Sequence, residues 1–307
     1  MREIITYNGK DISKDVETIA ATHEMYAGGR QADTIELVFL DDEKLWAKWQ
    51  PVVGDVISYQ KGGTPTGKMF VYEPYIDNNL CIIRATSIPG GMSIVRSKSW
   101  EQVYLQQIGD EIAKRSGLEF ELLGFSNLYY DYMKQDNQTD GGFLRNLAEL
   151  EGGGITVYDG RLIMFKESYL EEQKEKAIIT TTGAQFERID RTGSLFGSAE
   201  VRCGSFFGKF TADKTNGRIL KPQRTISCTS NAEAARYAAG ILRQANKEKT
   251  EAILRSPLMP DVSAGVVVDL NNTIVPSWSG RFFVYKIRHE YHKDKSTTFM
   301  RRTLEGY

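Results

Sequence analysis

The sequence predicts a mainly β protein with an α+β insertion, in which two similar small β-barrels are separated by a segment of helices and a hairpin. Three observations predict this fold. Short strand-like segments fill the first part of the chain, helical periodicity begins near Ser99, and segments near the two ends resemble each other. We expect a first barrel at residues 1–97, an insertion at 98–170, and a second barrel at 171–307 with a helix at about 230–246.

The first region is predicted to consist of short strands. Its β-branched and aromatic residues cluster in segments separated by turn residues, which is typical of a small barrel. Residues 43–49 interrupt this pattern and predict one helical turn. The predicted strands are residues 4–7, 34–40, 55–59, 69–76 and 80–85.

The insertion is predicted to contain two helices. Ser99 and Gln102 have the spacing of a capping box, and Gly117 stands where the first helix would end. The second helix is expected to begin near Thr139 and to end at the glycines 152–154. The apolar residues at helical spacing are Leu105, Ile108 and Ile112 in the first helix and Phe143, Leu144 and Leu147 in the second.

A hairpin and one more helix are predicted further along the chain. Asp159 and Gly160 stand between two apolar runs, which is a strong hairpin signal. The charged run at 171–176 indicates a solvated connection, after which strands resume. Ser230 and Glu233 form another capping-box pattern and predict the start of a helix. The apolar face of that helix carries Tyr237, Ala238, Ile241 and Leu242.

Three matched segments occur in the same order in the two predicted barrels. The clearest pair is GKMFVYE and GRFFVYK, which share a glycine, a basic residue, Phe, Val and Tyr in register. Offsets of about 211 to 217 residues between the matched segments predict two copies of one barrel. The three pairs are 53–57 with 264–268, 67–73 with 280–286, and 83–86 with 300–303.

Four glycines are predicted to be the turn residues of this repeat. They are Gly54 and Gly67 in the first copy and Gly265 and Gly280 in the second. Glycine is the default residue where the backbone needs a positive φ or a close approach. We therefore expect Gly54 and Gly265 to occupy equivalent turns.

Residues 62–68 have most of the pattern of a phosphate-binding loop but not its context. Gly62, Gly67 and Lys68 fit the pattern, whereas Met69 stands where a serine or threonine would bind magnesium. The residues that follow predict a strand, so no helix N-terminus would face a phosphate. We therefore predict a hairpin loop, with no bound nucleotide or other cofactor.

Composition and charge argue against several classes of function. Lys and Arg together number 39 and Asp and Glu 40, so no overall field would attract nucleic acid or an anionic membrane. No apolar run approaches the length of a membrane span, and the N-terminus alternates where a signal peptide would be continuously apolar. The three cysteines, Cys81, Cys203 and Cys228, are widely spaced and are predicted to be ordinary buried thiols.

No segment predicts a catalytic or metal-binding site. His289 and His292 are one residue too close for a zinc-protease motif, and their odd separation would place them on opposite faces of a strand. The only other histidine is His23, and the sequence has no Gly-x-Ser-x-Gly elbow. Glu149 and Glu151 are predicted to form a solvated rim at a helix end. We therefore assign no catalytic, cofactor-binding or metal-binding residue.

Segments spread over nearly the whole chain match one known family. They include an Ala-Asp strand start, a Pro-x-x-Gly-Asp turn, a Trp-Glu helix, an Ala-rich helix and a Gly-basic-Phe-x-Val strand followed by Arg-His. On these motifs the chain resembles the baseplate tail-hub family of contractile phage tails, which includes the late control D proteins and the hub portion of type VI secretion spike proteins. The matching segments are 32–35, 51–56, 100–117, 138–154, 232–245, 264–265, 280–284 and 288–289.

The resemblance implies a structural hub protein without catalysis. It implies a trimer between a six-fold tail tube and a three-fold central spike, with the tube, spike, other baseplate and tape-measure proteins as partners. Such a protein is assembled in the bacterial cytoplasm and lies in the baseplate of a virion, a phage-tail-like bacteriocin (tailocin) or another injector. The chain stops at Tyr307, which leaves no room for the spike domain that some members carry, so a separate spike protein is expected.

Two other functions stay open from the sequence. The first is a cell-wall hydrolase delivered by the same machine, which would turn over peptidoglycan. The second is a single-stranded nucleic-acid-binding barrel protein, in which bases would stack on aromatic residues such as Phe282 and Phe283 beside Arg281. The balanced charge disfavours the second function.

Overall fold

The computed structural model describes residues 2–29, 31–212, 217–222 and 226–307. It confirms the mainly β fold with an α+β insertion. The elements of the first part begin with a strand whose Ile5 and Tyr7 point into the core. They are β1 (Glu3–Tyr7), β2 (Lys10–Asp11), β3 (Glu17–Tyr26), β4 (Thr34–Leu40), α1 (Leu45–Trp49), β5 (Val56–Lys61), β6 (Met69–Asp77) and β7 (Leu80–Thr86).

The strand β3 is the one long element of this part that the sequence did not predict. Its ten residues, ETIAATHEMY, contain three acidic or histidine side chains and two alanines, so the apolar alternation is weak. Ala21, His23 and Met25 nevertheless point inward, whereas β4 buries Ile35, Leu37 and Phe39. The inward residues of β3 are small or polar, so the sequence pattern does not indicate a strand. Pairing with β4 stabilises it.

The insertion contains a two-stranded ribbon, a three-stranded sheet and two helices. The second helix and the hairpin agree with the sequence: Thr139 Oγ1 accepts the Gly142 N–H at 3.0 Å, and Asp159 and Gly160 have positive φ in the tight turn. The elements are β8 (Val95–Tyr104), α2 (Leu105–Arg115), β9 (Glu119–Leu123), β10 (Tyr129–Thr139), α3 (Asp140–Leu150), β11 (Gly153–Tyr158) and β12 (Arg161–Lys166).

The start of the first predicted helix was wrong. Ser99 and Gln102 lie in β8, which pairs antiparallel with β10, and α2 begins six residues after Ser99 at Leu105. The side chain of Gln107 caps this helix by accepting the Tyr104 N–H at 2.9 Å. Pairing with a strand that follows α2 in sequence overrides the local capping pattern.

The last part of the chain continues the sheet and adds a helix that packs on three short strands. The helix predicted at about 230–246 is α5, and its Ser230 cap accepts the Glu233 N–H at 3.1 Å. The elements are α4 (Glu167–Glu172), β13 (Ala177–Thr180), β14 (Gln185–Asp190), β15 (Ser198–Cys203), β16 (Phe206–Thr211), β17 (Ile219–Leu220), α5 (Asn231–Asn246), β18 (Thr250–Pro257), β19 (Val267–Asn271), β20 (Gly280–Glu290) and β21 (Lys295–Arg302).

The described strands do not form the two closed barrels that the sequence predicted. One 13-stranded sheet runs through both halves of the chain, because β20 of the second half pairs with β3 of the first. Within it the order β3-β4-β7-β6-β5-β1 has a counterpart in β14-β18-β21-β20-β19-β13. The duplicated strand order is present, but the two halves share hydrogen bonds instead of closing separately.

Each half has its own buried core, and at least one residue of the other half packs into each core. Tyr291, which follows β20, packs into the first core, and Met25 of β3 packs into the second. A third core lies in the insertion, and a fourth lies between α5 and the sheet of β15 to β17. The exchange of apolar residues couples the two halves of the sheet.

The cysteine prediction was wrong for two of the three residues. Cys203, at the end of β15, forms a disulfide with Cys228, which lies shortly before α5. Cys81 in β7 is a free buried cysteine, as predicted. Strand pairing and the packing of α5 bring Cys203 and Cys228 together across 25 residues, which spacing alone did not reveal.

Candidate assembly surfaces

The turns before β5 and β19 have the same backbone hydrogen bonds. The Gly54 N–H donates to Val71 O and the Gly265 N–H donates to Val284 O, each at 2.8 Å. Both glycines have positive φ, 96° and 86°. These bonds support the predicted equivalence of Gly54 and Gly265, which stays a prediction until the two halves are superposed.

The next strand in each half, β6 or β20, also contains an irregularity. The ladder of β6 with β7 shifts register between Val71 and Glu73, and that of β20 with β21 shifts between Val284 and Lys286. Gly67 and Gly280, with φ of 66° and 110°, precede and begin these two strands. The repeated Val-Tyr dipeptide therefore lies at a β-bulge in both copies.

The pairing register corrects the alignment of the third matched segment. Val71 pairs with Ala85, and Val284 pairs with Met300, so Ala85 corresponds to Met300. The sequence match had placed Arg84 against Arg301, which is two residues away from this register. Because a shift of two keeps side chains on the same face, the apolar pattern hid the difference.

The seam between the halves is the antiparallel ladder of β20 with β3, from Lys286 opposite Tyr26 to Glu290 opposite Thr22. His289 and His23 face each other in its buried centre. His289 Nδ1 lies 2.8 Å from Ser296 Oγ and its Nε2 lies 3.0 Å from Val262 O. Neither ring nitrogen of His23 has a hydrogen-bond partner among the described residues.

Burial keeps the seam histidines neutral. It lowers the pKa of His23 to about 3, with a smaller contribution from His289, and it also lowers the pKa of His289. His292 lies beyond the strand, and its Nε2 is 3.2 Å from Glu3 Oε1. Within the described ranges, no group of three or more His, Cys, Asp or Glu side chains could hold a metal ion.

Two strand edges that correspond to the seam are open. The outer edge of β14, the counterpart of β3, pairs with no other described strand, since β14 pairs only with β18. Residues 73–77 of β6, the counterpart of the β20 segment at the seam, pair with β7 and with no other strand in the described part of the chain. Tyr75 and Ile76 on this segment are 50% and 41% exposed. Open edges of this kind are templates for pairing with another chain.

The stretch that resembles a phosphate loop is covered by the insertion hairpin. The Lys68 N–H donates to Asp159 Oδ1 at 3.2 Å, and a Cβ on Gly67 would meet Asp159 at 2.9 Å. Met69 begins β6 directly after the loop, so no helix follows it. Because β5 and β6 pair antiparallel on either side of it, the stretch lies in a hairpin loop, as predicted, and the Lys68 N–H already has a carboxylate acceptor.

The charged run at 171–176 is a solvent-facing connection from residue 172 onward, but its first residue, Glu171, is not in solvent. Glu171 belongs to α4 and is buried beside Glu167, where both contact Arg243 and Arg301. Burial alone would raise the pKa of Glu167. The nearby cations Arg301, Lys247 and Arg243 have the larger effect, so the pKa lies below its ordinary value. The sequence missed this cluster because its members lie on separate elements.

Glu151 was also placed wrongly on a solvated rim. It is buried and accepts hydrogen bonds from Tyr130 Oη at 2.9 Å and from Arg236 Nε and Nη2 at 3.1 and 3.2 Å. Burial raises its pKa, although Arg236 and Tyr130 partly counter this. Glu149 is half-buried and lies 3.8 Å from Arg145 Nε. Glu151 therefore links the insertion to α5, whereas Glu149 contacts a residue of its own helix.

No family model matches the sequence, and no curated protein matches it. The fold, in contrast, resembles solved structures along almost its whole length. A tail protein from Neisseria meningitidis has a TM-score of 0.76 at 11% identity, with 98% of this chain and 97% of that chain covered. A prophage tail protein from Shewanella oneidensis has a TM-score of 0.72 at 12% identity and the same coverage, 98% and 97%.

Two further solved structures extend this likeness. A prophage tail protein from Listeria monocytogenes has a TM-score of 0.62 at 12% identity, with 99% and 95% of the two chains covered. A component of the Escherichia coli type VI secretion system, described as similar to T4 bacteriophage tail proteins, has a TM-score of 0.61 at 11% identity and coverage of 99% and 78%. The chain therefore has the fold of phage tail proteins. None of its described helices is long and apolar enough to cross a membrane.

Proposed function

We propose that this chain is a structural, non-enzymatic hub protein in the baseplate of a contractile phage tail or a related particle. We propose further that three copies form a ring that adapts a six-fold tube to a three-fold spike. The tail-protein fold supports the general role. The observation that carries the ring is the pair of open edges, because each corresponds to an edge already paired at the seam.

The ring follows from repeating the seam between chains. Inside one chain, β20 of the second half pairs with β3 of the first. If β6 of the first half pairs in the same way with β14 of a neighbour, every half contacts two others. Three chains then place six similar halves around one axis, with first and second halves alternating. The insertion, present once per chain, supplies the three-fold features.

The side chains at the two edges fit this arrangement in part. At the seam, Arg288 lies opposite Glu24. The residues that correspond to them at the open edges are Tyr75 and Ile189, so in the proposed ring Tyr75 would lie opposite Ile189 of the neighbouring chain. An aromatic residue opposite a β-branched one is a favourable cross-strand pair. Pro74 has no N–H to donate, which is compatible with an edge position and limits the number of ladder bonds.

Disulfide trapping in the full-length chain tests the ring. Directly opposed residues of an antiparallel pair have Cα atoms about 4.5 to 5.5 Å apart, within the range of a disulfide. The double variant Tyr75→Cys with Ile189→Cys is expected to give covalent trimers on a non-reducing gel. Mass measurement in solution gives the size of the uncross-linked protein.

A matched control moves one cysteine to a different edge strand. Tyr75→Cys with Ile178→Cys, whose second site is 77% exposed on β13, is expected to give no covalent trimer. Covalent dimers as the end product, or equal cross-linking in both double variants, would contradict the alternating ring. A particle reconstruction with six hub chains would contradict the trimer itself.

The remaining assignments extend the same proposal. The region boundaries 1–97, 98–170 and 171–307 describe the two halves of the chain and the insertion between them. The partners are the tail tube protein, a separate spike protein and other baseplate and tape-measure proteins, with no nucleic acid or membrane. Co-purification from assembled particles tests these partners, and the same sample distinguishes a phage from a bacteriocin or another injector. We propose membership of the late control D family on the sequence motifs alone.

A further inference from the structure

The seam inside the chain has a definite arrangement of charge. Lys286 of β20 lies opposite Tyr26 of β3, and its Nζ is 3.1 Å from Glu24 Oε2. Arg288, two residues further along β20, has its Nη1 3.5 Å from Glu24 Oε1. The cations nearest to Glu24 therefore come from β20, and the carboxylate comes from β3. Opposite charges across an antiparallel ladder are favourable, whereas like charges directly opposite each other are destabilising.

The open edges have the reverse arrangement of charge. Glu73 of β6 corresponds to Lys286, because each is the first residue after the register shift of its ladder. Arg191, the residue after β14, corresponds to Tyr26 in the same cross-strand register. The Arg191 N–H donates to Lys249 O at 2.6 Å, which continues the ladder of β14 with β18. Here the carboxylate lies on the β6 edge and the cation lies on the β14 edge.

Glu73 and Arg191 are both accessible to a second chain. Their side chains are 51% and 55% exposed. Glu73 Oε1 lies 2.6 Å from Arg84 Nη1, and Arg191 Nη1 lies 3.1 Å from Glu251 Oε2. A carboxylate has a second oxygen and a guanidinium has five N–H donors, so a contact between Glu73 and Arg191 is compatible with these bonds.

The reversed charges would make each wrong pairing of edges unfavourable. If β20 paired with the β14 edge, Lys286 would lie opposite Arg191. If β6 paired with the β3 edge, Glu73 would lie where Lys286 contacts Glu24 at the seam. Like charges would meet in both cases, whereas pairing of β6 with β14 places Glu73 opposite Arg191. Repulsion of the wrong partner is a common source of specificity between similar interfaces.

A second charged row at this junction is already neutralised within the chain. Asp77, at the end of β6, would lie opposite Glu187 of the neighbour. The Glu187 carboxylate contacts Arg255 Nη1 of its own chain. A cation is therefore present beside the two carboxylates, and the row of Glu73 is the one in which opposite charges lie directly across the junction.

We propose that Glu73 of one chain forms an ion pair with Arg191 of the neighbouring chain, and that this pair determines which edges join. The occupant of the β14 edge is then the acidic β6 edge of a second copy of this chain. This inference rests on the proposed ring and adds to it a reason why first and second halves alternate.

Charge reversal in the full-length chain tests the pair. Arg191→Glu is expected to raise the protein concentration at which trimers form about tenfold, because it places like charges across each junction. Adding Glu73→Lys restores opposite charges with their positions exchanged, and it should recover most of the assembly. Sedimentation velocity over a range of protein concentrations measures both effects. The difference between the variants should shrink at high ionic strength, since salt screens exposed charges.

A matched control changes the same charge away from the edges. Arg161→Glu reverses one arginine of the insertion hairpin and also removes an exposed ion pair, that with Glu121 at 3.0 Å. It should leave trimer formation unchanged. Equal weakening by Arg161→Glu and Arg191→Glu would mean that overall charge, not the proposed pair, controls assembly, and the inference would be wrong.

The outcomes separate this inference from the ring itself. Disulfide trapping through Tyr75→Cys with Ile189→Cys reports whether the ring forms, and without a covalent trimer both proposals fail. A covalent trimer together with unchanged assembly of Arg191→Glu would overturn the ion pair and leave the ring standing. Failure of Glu73→Lys to restore assembly would likewise overturn the pair, because Arg191 would then act through Glu251 of its own chain.

Discussion

The two halves of the sheet have the same strand order but different connections between their first two strands. In the first half, only seven residues separate β3 from β4 in sequence, whereas β15 to β17 and α5 lie between β14 and β18 in the second. The edge of β3 is covered by β20, and that of β14 is open. A duplicated sheet can therefore pair with itself at one seam and keep the equivalent edge available.

The inward chemistry of the two halves differs at corresponding positions. By ladder register, buried His23 of β3 corresponds to exposed Arg188 of β14, and Thr86 of β7 corresponds to buried Arg301 of β21. The buried face of the first half at the seam carries the neutral His23, whereas the second half contains a buried charged cluster against α4 and α5. We expect these differences to change the free energy of unfolding and its dependence on pH.

The largest effect is expected at Arg301. Arg301→Ala leaves Glu167 and Glu171 without one of their buried cations, so the free energy of unfolding should fall by about 3–5 kcal/mol. Thr86→Ala, at the corresponding place in the first half, should cost less than about 1 kcal/mol. Chemical denaturation of the full-length chain measures both. Equal costs would show that the buried cluster does not distinguish the halves.

The second prediction concerns pH and His23. Since burial lowers its folded pKa to about 3, and the unfolded value is about 6.5, the unfolded chain binds the proton first as pH falls. Stability should therefore be intact above pH 6.5 and be lost below it. His23→Leu should remove about 2 kcal/mol of this loss between pH 6.5 and 4.5.

The control for that experiment is the histidine outside the seam. His292→Leu removes a half-exposed side chain that lies beside Glu3 and outside the seam, so it should not reduce the acid-induced loss of stability. Denaturant midpoints across the pH range give the comparison. The seam assignment fails if the two variants respond to acid in the same way.

The third prediction compares the two turns. Gly54→Ala and Gly265→Ala should each lower the free energy of unfolding by about 1–2 kcal/mol, because both residues have positive φ. Neither added methyl would meet an atom closer than 3.8 Å, so backbone strain is the only cost. Gly90→Ala, in open space without a positive φ, should change stability by less than about 0.5 kcal/mol. Unequal costs at the two turns would weaken their equivalence.

The sequence predicted local features well and long-range pairing poorly. Thr139 at the start of α3, the Asp159–Gly160 turn and the Ser230 cap of α5 depend on neighbouring residues, and each is found where the pattern indicated. Ser99 was misassigned because β8 pairs with the later strand β10. The register of the third repeat depended in the same way on cross-strand partners that no local pattern specifies.

Buried charges were the hardest feature to predict. Glu151 and Glu171 were assigned to solvent because charged residues are usually exposed, yet each is buried against arginines from distant elements. The Cys203–Cys228 disulfide was missed because its two cysteines, 25 residues apart, come together only through packing. The sequence repeat indicates two related halves. It does not indicate which charged residues become buried where these halves and the insertion pack against α5.

The smallest effect on stability is expected at Lys68. It lies in the segment GKMFVY of the first half, which matches GRFFVY of the second half. Arg281, which matches Lys68 in the second half, lies within strand β20. A nucleotide site in the loop before β6 would therefore be present in the first half alone. The bond from Lys68 to Asp159 comes from the backbone N–H, so Lys68→Ala preserves it. Stability should change by less than about 0.5 kcal/mol, and titration with ATP or GTP should show no saturable binding before or after the change. Saturable binding that disappears in Lys68→Ala would mean that the first half has acquired a nucleotide site, and the comparison of the halves as purely structural repeats would then be wrong.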